Sequence, residues 1–193
     1  MTFTLLSHWL PTEKENYQEL ADILVPNRDK YCARHRYVHH KHAGSYHDSS
    51  LYYAVQRLHL LLDLMSRPNA TDFYWVLNIQ SIITNPAIPL SQFVDDKHDF
   101  FAHGDINAKI NAGSFIIRNS EWGRLWVRFL IEDVKTHDHC WHENWSAIRH
   151  SHNPPWVNKI HIMDHPGINS YQYHRYGRGP ETPGDWRSGH LVL

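Results

Sequence analysis

Two amide side chains, Asn78 and Gln80, are the first candidates for chemistry, because they interrupt the most continuously apolar run of the chain, residues 73–83. The run is rich in β-branched and aromatic residues and is too short to span a bilayer. It therefore predicts a buried central strand of a largely parallel sheet. Alternation along an extended backbone places both amides on one side. Since ligands of open α/β sheets bind at the carboxyl ends of the strands, the pair marks a candidate ligand-binding edge.

Arg57 is a second candidate, because it lies outside the apolar stripe of a long helix predicted to begin at Ser49 or Ser50. The stripe recurs at spacings of three and four residues: Leu51, Val55, Leu58, Leu62 and Met65. Arg57 is then free to face a ligand, where its charge would meet an anion. The alternative is a charge that faces only water.

Residues 137–142, His-Asp-His-Cys-Trp-His, offer metal-binding side chains in one short turn. The turn lacks the paired spacings of structural zinc modules, and four ligands so close in sequence rarely close a tetrahedron. We therefore interpret these histidines as surface and pocket-edge residues, with a zinc site as the alternative.

Residues 28–42 form the one strongly basic stretch, with Tyr31 and Tyr37 as aromatics that could stack on bases. The whole chain nevertheless carries 19 basic against 20 acidic residues. This balance, and the lack of a known nucleic-acid module, predict no nucleic-acid partner.

The composition is that of a globular protein, with 41% hydrophobic and 20% charged residues in a chain of 193. This length predicts a single domain, with the alternative that the chain is the N-terminal piece of a longer protein. The chain shows no leader and no apolar window of transmembrane length, and it has 2 cysteines. We therefore expect a soluble, cytoplasmic protein without a membrane segment. The sequence does not indicate an oligomeric state.

Strands alternate with helices along the sequence, which predicts an α/β fold. Strands are expected at residues 2–7, 37–38, 73–83, 99–103, 111–118 and 159–163. One helix is expected to begin at Thr12 and to stop at Pro26, and a separate short helix to follow at 27–35. Further helices are expected after Asn119 or Ser120 and around 143–150.

Three blocks, residues 27–37, 74–83 and 111–122, resemble in order and spacing those of nucleotide-sugar glycosyltransferases of GT-A fold. The resemblance is to the galactosyl-, xylosyl- and α-1,6-mannosyltransferase family (family 34) and its relatives from chlorella viruses. It extends over nearly the whole chain, and the block Asn-Ala-Gly-Ser-Phe-Ile-Ile-Arg-Asn-Ser-Glu-Trp at 111–122 is its most specific part. It implies a single GT-A domain with a mostly parallel sheet flanked by helices. The implied reaction moves a hexosyl or deoxyhexosyl unit from a UDP-sugar to a hydroxyl of a glycan acceptor, in the host cytoplasm if the protein is viral.

The resemblance also implies a metal site, because the family holds Mn²⁺ or Mg²⁺ with an Asp-x-Asp at the end of the central strand. Asn78 and Gln80 stand at those two positions, and His190 is near the place of a third ligand. Amide carbonyls ligate hard cations without charge, so we expect metal binding to be weak or absent. The alternative function is therefore a UDP-sugar-binding relative with weak catalysis or none.

The remaining roles come from the same resemblance. Glu143 and Asn144 are expected to face the anomeric carbon as catalytic residues, and Asp105 and Asp164 are weaker candidates for contacts with sugar hydroxyls. The residues expected to bind the nucleotide and the donor sugar are Ser7, His8, Tyr37, Arg57, Leu77, Asn78, Ile79, Gln80, Asn111, Ala112 and Gly113.

Overall fold

The computed structural model describes residues 1–11, 17–104, 110–137, 142–163, 167–168 and 191–192, without the side chains of residues 142, 143 and 145. The strands are β1 (Phe3–Trp9), β2 (Val38–Ala43), β3 (Phe73–Leu77), β4 (Phe100–His103), β5 (Ser114–Arg118) and β6 (Ile160–Met163). The helices are α1 (Tyr17–His35), α2 (Tyr53–Met65), α3 (Glu121–Thr136) and α4 (His142–His150). None of these helices has both the length and the apolar character needed to cross a membrane.

The strands form one six-stranded sheet in the order β2-β1-β3-β5-β4-β6. β1 pairs in parallel with β2 and β3, and β4 pairs in parallel with β6. β5 is antiparallel to both of its neighbours, β3 and β4. The amino end of β5 therefore meets the carboxyl ends of the other strands at one edge of the sheet, which we call the carboxyl edge. The opposite edge is the amino edge.

Helices cover both faces of the sheet, so the fold is the predicted α/β type with a mostly parallel sheet. Leu6, Tyr74 and Val76 point to the face covered by α2, α3 and α4. Leu5, Phe73 and Trp75 point to the other face, where they pack with Tyr31 of α1. Both faces of the central strands are thus buried, as a continuous apolar run predicts.

The central strand is shorter than predicted, because β3 ends at Leu77 and not near residue 83. Beyond Leu77 the chain turns: the backbone N–H of Ser81 donates to the carbonyl of Asn78 at 3.0 Å. Ile83 forms only an isolated bridge, with Val192. Backbone carbonyls after Leu77 are used by the Arg28 side chain rather than by a neighbouring strand.

The predicted break at Pro26 is wrong, because α1 runs through this residue from Tyr17 to His35. An internal proline removes one helical hydrogen bond. Contacts with the rest of the fold compensate in the second half of α1. Asn27 exchanges two hydrogen bonds with the backbone of Ile83, at 2.9 and 3.0 Å, and the Tyr31 hydroxyl donates to the carbonyl of Ile88 at 2.8 Å.

The predicted cap of α3 is confirmed at Ser120, whose Oγ accepts a hydrogen bond from the N–H of Gly123 at 2.9 Å. The first turn of α3 packs directly on the end of β5. A Cβ atom at Gly123 would lie 2.1 Å from the carbonyl oxygen of Arg118. Only glycine allows this close approach.

Candidate active site

The carboxyl edge brings together several of the predicted site residues around the turn that precedes β5. Within this turn, Asn111 Oδ1 accepts a hydrogen bond from the N–H of Gly113 at 2.8 Å. The Gly113 carbonyl accepts from the N–H of Asn78, also at 2.8 Å. The turn is therefore joined directly to the end of β3, so two blocks that are distant in sequence become one surface.

The same turn is held by side chains from two helices. Asn144 of α4 accepts a hydrogen bond on Oδ1 from the N–H of Ala112 at 2.7 Å. Arg57 of α2 donates from Nη2 to the carbonyl of Ala112 at 3.3 Å. Asn144 and Arg57, both of them predicted site residues, thus converge on the backbone of one residue, Ala112. The side chain of Glu143 lies outside the described part of the structure.

Arg57 is 3% exposed, so the alternative of a purely solvated helix charge is wrong. Its guanidinium carbon lies 5.7 Å from the centre of the Tyr53 ring, a distance suited to a cation–π contact. Burying a guanidinium is unfavourable unless its charge is used, and bidentate recognition of phosphate is a frequent use. Arg57 is therefore the strongest candidate on this face of the sheet for a residue that binds an anion.

His8 is fully buried on the same face, next to Tyr53, with the two ring centres 4.9 Å apart. Burial lowers the pKa of His8 to about 4, the positive charges of Arg57 and His42 add to the shift, and a hydrogen bond to the Gly44 carbonyl opposes it. His8 is therefore neutral near pH 7 and contributes a polar ring but no charge.

Arg28 is a residue that the sequence analysis missed as part of the site. It is fully buried on the α1 face and encloses the end of β3. Nη2 donates to the carbonyls of Asn78 and Ser81, the latter at 2.9 Å, and Nη1 donates to Ser7 Oγ at 2.7 Å. Burial lowers the pKa of Arg28 to about 10, so the side chain remains charged at pH 7. Arg28 and Arg57 thus approach the carboxyl edge from opposite faces of the sheet.

A signal for Arg28 exists in the sequence. It occupies the buried stripe of α1 at helical spacing with Ala21, Leu24 and Tyr31. A charged residue on a buried helical face needs a partner inside the protein. The sequence analysis grouped Arg28 with the other basic residues of 28–42, and most of those are on the surface. Its buried position was therefore missed.

Ser7 connects Arg28 to a polar chain that leads to the surface. Its Oγ lies 2.9 Å from His39 Nε2, and His39 Nδ1 lies 2.7 Å from Asp29 Oδ1. Arg28 can only donate, so the Ser7 hydroxyl hydrogen is available to Nε2, and a neutral His39 then carries its proton on Nδ1. Burial lowers the pKa of His39, although Asp29 opposes the shift. Lys41 completes the chain, 3.0 Å from Asp29.

The end of β3, where the resemblance implies a metal site, does not fit a divalent cation in this chain. Asn78 is half-buried and Gln80 is exposed, and neither side chain carries charge. The carbonyl of Asn78 already accepts from the Arg28 guanidinium, so a positive charge stands immediately behind this point. Divalent cations prefer charged oxygen ligands and are repelled by a neighbouring cation. His190 lies outside the described residues.

The other predicted residues are placed as follows. Leu77 and Ile79 are buried beside Asn78. Tyr37 lies just before β2, at the amino edge, and accepts a hydrogen bond from the N–H of Leu90 at 3.1 Å. It packs against the Phe3 ring and stacks on that of His35, away from the residues around Asn78. Asp105, Asp164 and most of the turn at 137–142 lie outside the described residues.

No family profile matches the chain, and no curated protein matches it. Solved structures do. A glycosyltransferase involved in glycosylation of the major capsid of PBCV-1 has a TM-score of 0.70 and 15% identity, over 88% of this chain and 84% of that one. The galactosyltransferase LgtC, in complex with donor and acceptor sugar analogs, has a TM-score of 0.61 and 10% identity, over 98% and 85%.

The chain has the GT-A glycosyltransferase fold. Mouse xyloside xylosyltransferase 1 supports the same conclusion, with a TM-score of 0.53 and 10% identity over 100% of this chain and 97% of that one. The fold predicted from the sequence blocks is thereby confirmed. Open α/β sheets bind their ligands at the carboxyl ends of their strands. Arg57, Asn78 and Asn144 converge at that edge of this sheet.

Proposed function

We propose that this chain is a glycosyltransferase that moves a hexosyl or deoxyhexosyl unit from a UDP-sugar to a hydroxyl of a glycan acceptor. The observation that carries the proposal is the convergence of Arg57, Asn78 and Asn144 on the turn at 111–113. A fold alone does not define a reaction, so the proposal rests on this site as well as on the likeness to glycosyltransferase structures.

The chemistry requires a group that neutralises the diphosphate as it leaves. In the proposed reaction, an acceptor oxygen forms a bond to the anomeric carbon while the bond from that carbon to the β-phosphate oxygen breaks. The leaving UDP takes the electron pair and concentrates negative charge. Arg57, buried at the carboxyl edge, supplies positive charge to that position.

The acceptor hydroxyl must also lose a proton. In this proposal the Glu143 carboxylate takes the proton or stabilises the oxocarbenium-like transition state. Asn144 holds the turn at 111–113 through Ala112, and this turn contacts the donor sugar. Gly113 and Asn111 complete the sugar side of the pocket.

A second candidate is a UDP-sugar-binding protein with weak catalysis or none. The observation that favours it is the pair of uncharged amides, Asn78 and Gln80, in front of the Arg28 guanidinium. In both candidates the donor binds at the same edge. They differ in turnover and not in binding.

Calorimetry with UDP, run with EDTA and again with Mn²⁺, tests the shared part of the proposal. We expect UDP to bind in EDTA, with little gain from Mn²⁺, because arginine rather than metal neutralises the diphosphate. Absence of UDP binding under both conditions would contradict both candidates.

Release of UDP from a panel of UDP-sugars then separates the two candidates. Hydrolysis or transfer that disappears in Glu143→Gln, with UDP affinity unchanged, supports the transferase. Binding without release of UDP from any donor supports the inactive relative.

A further inference from the structure

A cluster of three metal-ligating side chains lies at the amino edge of the sheet, away from the proposed donor site. Asp95 and His98 belong to the segment that leads into β4, and His161 is the second residue of β6. Their donor atoms all lie within 4.8 Å of one another. We call these three residues the histidine–aspartate cluster.

The carboxylate of Asp95 is fixed so that one oxygen faces both imidazoles. Its Oδ1 accepts hydrogen bonds from the backbone N–H groups of Lys97 and His98, at 2.8 and 2.9 Å. Its Oδ2 lies 2.8 Å from His98 Nδ1 and 3.8 Å from His161 Nδ1. The backbone therefore holds Oδ1, which also lies 3.0 Å from His98 Nδ1, and Oδ2 is the oxygen that lies near both imidazoles.

These separations suit a tetrahedral zinc ion. With ligand bonds of about 2.0–2.2 Å, two tetrahedral ligands lie roughly 3.3 Å apart. The two measured separations from Oδ2 fall on either side of that value. The three donor atoms lie within 4.8 Å of one another, so closing the site requires the His98 and His161 side chains to rotate toward Asp95 Oδ2 and toward each other.

The surroundings orient the rings and leave the site accessible. The two imidazole rings have centres 5.0 Å apart, and the Phe101 ring lies about 6 Å from each, at 6.2 and 6.0 Å. The side chains are partly exposed, 25% for His98 and 41% for His161. A metal ion can reach the cluster from solvent, and water can complete its coordination.

The local charges also permit a cation. Arg118 Nη2 donates to the Asp95 carbonyl, and Lys97 lies between Asp95 and His98 in sequence. Arg118 and Lys159 nevertheless both pair with the Asp99 carboxylate, at 3.2 and 3.4 Å, which offsets their charge.

We propose that Asp95, His98 and His161 bind a divalent transition-metal ion of the zinc class. Two imidazoles and one carboxylate form a ligand set that zinc accepts, with water in the fourth position. A bound ion would tie the segment before β4 to β6, which ends the sheet on this side. The role is a structural crosslink at the amino edge. The proposal does not depend on the function assigned to the carboxyl edge.

The test is zinc titration of the EDTA-treated protein by calorimetry, together with Co²⁺ absorption spectra and thermal unfolding. Asp95→Asn retains the oxygen that accepts from the backbone and removes the charge, and His161→Gln removes one imidazole. His152→Gln is the matched control, because His152 is exposed and outside the cluster. UDP binding is measured on every variant, so that a failure at the donor site is distinguished from a failure at this one.

We expect one zinc ion per chain and a higher Tm at roughly hundredfold excess of zinc over Kd. Asp95→Asn and His161→Gln should each lower zinc affinity by more than the roughly 10–100-fold that loss of an outer-shell partner causes. His152→Gln should bind zinc like the parent protein. Equal zinc binding by all four proteins, or no binding at micromolar zinc, would overturn the proposal and leave the cluster a histidine–carboxylate ion pair.

Discussion

The two edges of the sheet handle charge in opposite ways. At the carboxyl edge, where the GT-A fold normally holds its metal, the chain offers the uncharged Asn78 and the buried cations Arg28 and Arg57. At the amino edge, it offers the anionic Asp95 and the imidazoles of His98 and His161. In our proposals the carboxyl edge receives an anion and the amino edge receives a cation. The place of a ligand in a fold therefore has to be derived from the side chains present and not from the fold's usual positions.

The difference is also one of burial. Arg28 is fully buried, and its donors are directed at backbone carbonyls of its own chain. The Asp95 side chain is 40% exposed, and its Oδ2 lies near the imidazoles of His98 and His161. A buried cation fixes a rigid frame for a pocket, whereas an exposed cluster can take up or release an ion without disturbing the core.

The largest expected effect is on the frame of the carboxyl edge. Arg28→Met should lower the free energy of unfolding by about 4 kcal/mol, because it leaves the carbonyls of Leu77, Asn78 and Ser81 without the Arg28 donor. Urea unfolding measures this loss. Arg67→Met, an exposed arginine just after α2, is the control and should change stability by less than about 0.5 kcal/mol. Equal effects of the two substitutions would show that Arg28 does not stabilise the end of β3.

The second prediction concerns the pH dependence of stability, to which the buried His8 at the carboxyl edge should contribute. His8 has a pKa of about 4 in the folded state, against 6.5 for an unperturbed histidine. Between these values the unfolded state takes up a proton that the folded state does not, so stability falls as pH falls from 6.5 to 4. The full difference corresponds to about 3 kcal/mol.

His8→Phe should flatten this part of the pH profile, because phenylalanine keeps the ring contact with Tyr53 and cannot titrate. Urea unfolding at a series of pH values makes the comparison. A profile for His8→Phe that follows the parent over this range would show that His8 is not kept neutral by the fold.

Arg57 should matter more for binding than for the fold. Arg57→Ala is expected to weaken UDP binding by about thirtyfold, or about 2 kcal/mol, because it removes the charged donor for the diphosphate. Calorimetry provides the measurement, and circular dichroism shows whether the chain remains folded. Arg67→Ala is the control. Unchanged UDP affinity in folded Arg57→Ala would mean that the anion is bound elsewhere.

The smallest expected effect comes from introducing carboxylates at the carboxyl edge, which would then carry negative charge as Asp95 does at the amino edge. The double substitution Asn78→Asp with Gln80→Asp should add a dependence of UDP affinity on Mn²⁺, on the order of tenfold. The nearby Arg28 limits the gain. Calorimetry with and without Mn²⁺ measures it, with Asn78→Ser and Gln80→Ser as the uncharged control. No metal dependence in the carboxylate variant would show that the end of β3 no longer has the geometry of a metal site.

The sequence predicted the fold well, because continuous apolar strands and the blocks at 74–83 and 111–122 are local patterns. It also predicted that Arg57, Asn78, Ala112 and Asn144 lie in one site, through a resemblance that carries their order along the chain. Where strands and helices end was harder to predict. Pro26 ended a predicted helix that in fact continues, because contacts of Asn27 and Tyr31 with another part of the chain are invisible in local sequence.

Arg28 and the histidine–aspartate cluster were missed for a related physical reason. Arg28 differs from its basic neighbours only in which side of α1 it occupies, and this requires the helix to run through Pro26. Asp95 and His161 are far apart in sequence, and only the parallel pairing of β4 with β6 brings them together. Spacing along the chain cannot reveal such a meeting.

The position of β1 in the sheet, between β2 and β3, has a consequence for how the chain assembles. β1 pairs with β2 and with β3, so Thr4 lies opposite both Val38 and Tyr74. During synthesis this first strand therefore stays unpaired on one side until Leu77 has emerged. Pairings of such long sequence separation fold slowly and leave apolar strands open to other chains meanwhile. The strand order therefore predicts that the pairing of β1 with β3 forms late in folding.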